Sequence, residues 1–198
     1  MKNRAAATAA ITLTAMLALA GCASTTSSGG TDTMPGMCSS ASASPSAADV
    51  NDADRQFTMM MIPHHEQAVE MADMILAKDD IDERVLTLAE QIKAAQGPEI
   101  ELMQSWLDDW GTGMGEMEGM DHGGMMSDTD MQALEDATGV EASRLFLEQM
   151  MMHHEGAIQM AQDEVDNGQN PEVIALAEDI ITSQTAEIAT MEEILGNL

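Results

Sequence analysis

Tyrosine is absent from the 198 residues and aromatic side chains make up only 2%, so the chain has no stacked platform for sugars or bases. Basic residues are scarce. Seven Lys and Arg face 35 Asp and Glu, a formal net charge of -28 at pH 7. Nucleic acid and anionic membrane surfaces both repel such a polyanion, which removes them as partners. With two cysteines, Cys22 and Cys38, a disulfide framework is not what holds the fold. Gly-x-Ser-x-Gly, His-Glu-x-x-His and the phosphate-binding P-loop are all missing, and the chain is read as a binding protein, not an enzyme. The hydrophobic fraction of 44% is that of a folded domain, so the charge does not imply wholesale disorder. Methionine is what the chain has in excess, 21 residues of it.

The chain opens as an export signal. Lys2 and Arg4 precede an uncharged stretch of small and apolar residues over 5–20, too short for a spanning helix. The stretch ends in Leu19-Ala20-Gly21-Cys22, which resembles a bacterial lipobox. The expectation is a signal peptide over 1–21, a lipid on Cys22 and a membrane-anchored place outside the cytoplasm, at the cell surface or in the periplasm. Residues 22–49 are rich in Ser, Thr, Ala, Gly and Pro and read as a flexible tether. Met34, Met37 and Cys38 interrupt it, and Cys38 is left as the one free thiol.

The rest of the chain is a duplication. Arg55-Gln56-Phe57 through His64-His65-Glu66-Gln67-Ala68 to Met71-Ala72 returns as Arg144-Leu145-Phe146 through His153-His154-Glu155-Gly156-Ala157 to Met160-Ala161. A second block, with Leu88-Ala89-Glu90, Gln96 and Glu99-Ile100, returns as Leu176-Ala177-Glu178, Gln184 and Glu187-Ile188. At about 100° per residue, Phe57, Met60, Met61, His64, Ala68, Met71 and Ile75 fall on one helical stripe, with His65 on its edge. Phe146, Met150, His153, Ala157 and Met160 repeat it. Two amphipathic helical hairpins, 50–110 and 129–198, predict an all-α, antiparallel four-helix bundle over 50–198. Pro63 predicts a kink before the first His pair. A short helix is expected near 131–137, after a loop over 111–128.

Two groups of side chains carry metal chemistry. The loop places Met114, Met117, Met120, His122, Met125 and Met126 among glycines. Soft thioethers with an imidazole on a flexible backbone suit Cu(I), and Ag(I) by the same softness. A solvated linker with incidental Met is the alternative. The second group is the two His dyads, each with Met three or four residues upstream. Met61/His65 and Met150/His154 share a helix face at i, i+4 spacing and could hold a soft or borderline ion in a bundle core. Packing is the alternative role. Gln96, Glu99, Gln184 and Glu187 could fix the His tautomers or lie at a solvated edge. Glu66 and Glu155 stand about 200° from His64 and His153 and should face solvent.

The repeated pattern F-x-x-x-M-x-x-H-H-x-x-A-x-x-M-A, with the paired E-I-x-x-M segments, resembles domain-of-unknown-function family 305 over about 51–198. That resemblance implies a ferritin-like four-helix bundle, secreted or membrane-anchored. Some members are periplasmic copper-binding proteins that use Met and His, which implies Met61, His64, His65, Met150, His153 and His154 here. The loop methionines rest on the chemistry alone.

The leading expectation is therefore copper binding, Cu(I) favoured and Cu(II) second. The role is buffering, transfer or resistance, with copper-donating or copper-accepting proteins as partners. A non-catalytic interaction lipoprotein, or an oxidant sink whose Met cycle through the sulfoxide, is the alternative. A ferritin-like dinuclear redox centre stands behind both, because no Glu-x-x-His occurs.

Overall fold

A computed structural model describes residues 49–112 and 123–198. Cys22, Met34, Met37, Cys38, Met114, Met117, Met120 and His122 lie outside the described residues, as do the signal segment and most of the tether. The elements run α1 (Asp52–Leu76), α2 (Glu83–Trp110), α3 (Asp128–Asp136), α4 (Gly139–Asn167) and α5 (Pro171–Leu195). No strand occurs among the described residues, and the all-α expectation holds.

Local chemistry sets the helix ends. Asn51 caps α1 by accepting from Ala53 and Asp54 backbone N–H, and Asp54 returns a bond to the Asn51 N–H, a reciprocal box that satisfies otherwise orphaned donors. Ser127 and Asp130 do the same for α3. Asn170 caps α5, and Pro171 takes the first helical position, where its missing N–H costs nothing. Gly111 closes α2 with φ 65°, a left-handed geometry glycine adopts freely. Helix α1 passes through Pro63 as one unbroken element, and α2 likewise carries Pro98 inside it.

Helices α1 and α2 form one hairpin and α4 and α5 the other, and the hairpins meet chiefly through α1 against α4. The seam between the two copies is thus made by the two helices that carry the His dyads. The short α3 leans on α1 and α4 through buried Leu134.

The apolar interior falls into two parts. One holds Ala68, Met71 and Ile75 of α1, Val85 to Ile92 of α2, Phe146 and Met150 of α4 and Met191 of α5. The other holds Phe57, Met61 and Ile62 of α1, Met103 to Trp110 of α2, Ala157 and Ala161 of α4 and Val173 to Ile180 of α5. The order reverses between α1 and α4, which makes them antiparallel. The residues between the two parts are polar on all four helices and match between the two copies: His64-His65 on α1 and His153-His154 on α4, Gln96 with Glu99 on α2 and Gln184 with Glu187 on α5. A polar layer crosses the bundle at mid-height.

Candidate metal centre

The four histidines are buried, each at most 1% exposed. They reach the interior because each dyad spans adjacent positions of a stripe whose neighbours one turn away, Met61 and Ala68 or Met150 and Ala157, are fully buried too. Glu66 and Glu155 are exposed, as their angular position requires.

Duplication is repeated in the hydrogen bonds. His65 Nε2 lies 2.8 Å from a Glu99 carboxylate oxygen, and His154 Nε2 lies 2.7 Å from a Glu187 carboxylate oxygen. Each glutamate is about one-fifth exposed, so it stands at the wall of the layer, between ring and solvent. A carboxylate accepting at Nε2 requires the ring proton there. That tautomer leaves the Nδ1 lone pair of the neutral ring free to accept a metal. Both Nδ1 atoms are buried and without a hydrogen-bond partner. The glutamates thus take the tautomer-fixing role; Gln96 and Gln184 sit in the layer but do not bond the rings. The amide atoms of Gln96 and the oxygen of Gln184 are buried and unpartnered.

Across the seam, the His64 and His153 rings lie 3.7 Å apart between centroids, tilted by 38°, and His153 is 6.3 Å from His154. Burial holds His153 neutral, well below the usual imidazole range. His64, His154 and His65 nearby add to that, and a contact with the His64 backbone opposes it. A neutral imidazole is the form that ligates metal, so this ring needs no proton removed at pH 7.

Met61 and Met150 are fully buried and stand one turn before His65 and His154. Among the described residues, no three His, Cys, Asp or Glu side chains converge as a ready-made chelate. Beside imidazole and the oxygens of Gln96, Gln184, Glu99 and Glu187, the buried thioethers of Met61 and Met150 are the soft donors next to the layer. A buried polar atom without a partner costs on the order of 1–3 kcal/mol. The layer collects several, on His65, His154, Gln96 and Gln184, and such a cluster fits a bound cation with nitrogen and sulfur donors.

The loop expectation changes where the chain is described. Met126 is 9% exposed and belongs to the first apolar part with Leu134 and Phe146. It is packed as core, not carried on a solvated loop, because α3 folds back on the seam and draws residue 126 inward. Met125 is half-buried.

Sequence reasoning passed over how this segment is held. Gln67 donates to the Met126 carbonyl at 2.9 Å and accepts from the Met126 N–H at 2.7 Å. Gly156, the equivalent of Gln67 in the second copy, meets Gly123 and Gly124 so closely that a Cβ on it would lie 2.5 Å from the Gly123 oxygen and the Gly124 Cα. Gly124 has φ +86°. The two copies diverge at this position, and both versions grip the same four residues. The far end of the Met/His segment is thereby fixed two residues past His154 and two past His65. The signal was present, as Gln67 against Gly156 in otherwise matching blocks.

Comparison with known proteins gives a consistent picture. The profile of the family described as "Domain of unknown function (DUF305)" matches residues 8–75 and 54–195. A DUF305 fragment from Deinococcus radiodurans is 34% identical, with a TM-score of 0.69, and the match covers 75% of this chain and 99% of that one. A secreted DUF305 protein from Streptomyces coelicolor is 32% identical with a TM-score of 0.70, covering 73% and 93%. The protein CopM in its Cu(II)-bound form is 35% identical with a TM-score of 0.64, covering 73% and 96%, and its Cu(I)-bound form is similar at 34% and 0.64 over the same shares. No curated protein matches the chain.

Proposed function

The chain belongs to the DUF305 family, and on that premise we propose that it is an extracytoplasmic, lipid-anchored copper-binding protein that buffers or passes on copper without catalysing a reaction. The observation that carries this reading is the mid-height layer. Two His–Glu pairs repeat across the α1–α4 seam, each leaving a buried Nδ1 without a partner and each following a buried Met by one turn. The neighbour CopM binds copper in both oxidation states, and an Ag-bound form of it is similar to this chain as well. Silver in place of copper is what soft donors predict.

In this reading His65, His154, His64 and His153 supply nitrogen, and Met61 and Met150 supply sulfur. Glu99 and Glu187 fix the rings and neutralise part of the charge that arrives with the ion. Met114, Met117, Met120 and His122, with Met125, form a weaker outer site that loads or unloads the layer. The net charge of -28 raises the local cation concentration around the fold. Lipid on Cys22 holds the protein at the membrane, where copper donors and acceptors meet it.

The test is an anaerobic Cu(I) titration of residues 24–198 against a chromophoric chelator. His65→Ala with His154→Ala should lower affinity at least tenfold, while replacing the five outer donors should slow transfer and leave the tightest site. Unchanged stoichiometry and affinity in a protein lacking both sets would overturn the copper reading. Methionine oxidation in oxidant-stressed cells, without metal affinity, would favour the oxidant sink.

A further inference from the structure

The two ends of the α1–α4 seam are not alike. Where α1 finishes and α4 starts, α3 lies across the seam. Its Leu134 is fully buried in the first apolar part with Met71 and Phe146. Gln67 holds Met126, and Gln149 donates to the Asp130 carbonyl at 2.8 Å. Where α1 starts and α4 finishes, a cavity of about 590 Å³ lies between the helices instead. The duplication puts equivalent positions at both ends, with different residues. On the cavity wall, Met60 stands where Gln149 grips α3, Met160 where Met71 is packed as core, and Gly156 where Gln67 holds Met126.

The cavity follows the stripe that carries the dyads. His64 meets His153 across antiparallel helices, so each turn back along α1 is matched by a turn forward along α4. Met60 lies one turn before His64, and Gly156 about one turn after His153. Phe57 lies two turns before, and Met160 two turns after. All four line the cavity, so its inner end is one turn from the contact between the two rings. The rings are at most 1% exposed, and an ion bound among them has to pass the wall of the bundle.

We infer that this cavity is the entry path for Cu(I) into the His layer, with the thioethers of Met60 and Met160 as a transient relay. The inference rests on the copper reading above and adds the route and the residues that serve it. Met60 is 8% exposed and Met160 is half-buried, whereas Met61 and Met150 are fully buried. The outer pair therefore stands between solvent and the inner pair. Thioether is a soft, uncharged donor, which suits Cu(I) and has no proton to lose. The ion passes from sulfur to ring nitrogen without a change of oxidation state and without releasing a proton. The Gln56 amide donates to the Met60 sulfur at 3.7 Å, a weak contact that an arriving ion displaces. Asp52 and Asp163 are exposed at the mouth and draw cations toward it.

The experiment is anaerobic stopped-flow mixing of the full chain with Cu(I) held by a chromophoric chelator, followed by release into excess chelator. Equilibrium affinity is measured separately on the same proteins. Met60→Leu with Met160→Leu conserves volume and should keep the fold. Uptake and release should both slow about tenfold or more while affinity stays within about twofold, because a path acts equally on the two directions. Ala53→Phe, which puts a ring into the cavity from the first turn of α1, should slow both rates as well. Met74→Leu with Met131→Leu, beside the end that α3 covers, should change neither rate. Tight binding with unchanged rates in the Met60/Met160 variant would overturn the path and leave the copper reading standing. Affinity that falls along with the rates would make the pair part of the tight site and would overturn the path too. So would equal slowing in the Met74/Met131 variant. Absence of tight Cu(I) binding in the wild type would overturn the copper reading and the path together.

Discussion

Gly156→Ala puts a single methyl group into the contact that ties the loop to the seam. The added Cβ would lie 2.5 Å from the Gly123 oxygen and the Gly124 Cα, both backbone atoms that cannot rotate away. Restoring an ordinary contact of 3.4 Å or more requires residues 123–124 to move by about 1 Å. Overpacking of this kind costs about 1–3 kcal/mol. Against it, Ala in mid-helix is favoured over Gly by about 0.8–1 kcal/mol. If the loop stays docked, the variant is destabilised by about 0–2 kcal/mol. If it lifts off, α4 keeps the helical gain, and the loss is confined to the Gln67–Met126 bonds and the burial of Met126.

The two terms nearly cancel globally, so the melting temperature is a poor reporter, with about 2–4 °C per kcal/mol for a domain of this size. The Met126 amide is a good one, because its N–H donates to Gln67 in the docked state. Hydrogen exchange at that amide should speed markedly in Gly156→Ala while the amides of α1 and α4 remain protected. Gln67→Ala, which removes both bonds from the other side, should act in the same direction. Protection at Met126 that is unchanged in both variants would refute the view that these equivalent positions hold the segment. If the docked end serves to present the outer donors, Cu(I) transfer into the layer should slow in the same variants.

Other outcomes follow from the same geometry. Met61→Leu with Met150→Leu conserves volume and should cost less than about 1.5 kcal/mol each in a urea melt, yet Cu(I) affinity should fall at least tenfold. Glu99→Gln and Glu187→Gln leave an acceptor at each His Nε2 but remove the negative charge. Cu(I) affinity should fall about 10- to 100-fold per pair of changes, measured by chelator competition, with the fold retained by circular dichroism. Glu164 has its folded-state pKa raised from 4.5 to about 8, so the folded form binds more protons than the unfolded form between those values. Its contribution is fully present below pH 4.5 and is lost as pH rises through 8. Urea midpoints should therefore fall between pH 5 and 8, and Glu164→Gln should flatten that slope.

The helices, their pairing into two copies and the inward face of the dyads were legible from residue order alone. A 3.6-residue period assigns each side chain to a face, and a duplicated pattern must fold into duplicated units. The capping residues Asn51, Ser127 and Asn170, and Pro171 at the first position of α5, mark the ends for local reasons that need no tertiary context. The donor types were legible too, since thioether and imidazole chemistry does not depend on position. Three matters were left to the tertiary structure. Periodicity gives a face but not what the face meets, so only packing made α1 and α4 the seam and brought His64 onto His153 at 3.7 Å. Whether Glu99 and Glu187 bonded the rings or faced water turned on the rotation of α2 and α5 by a fraction of a turn, which sequence spacing cannot fix. Met126 belonged to the loop by composition and to the core by position, because α3 folds back on a surface that exists only once the hairpins have assembled.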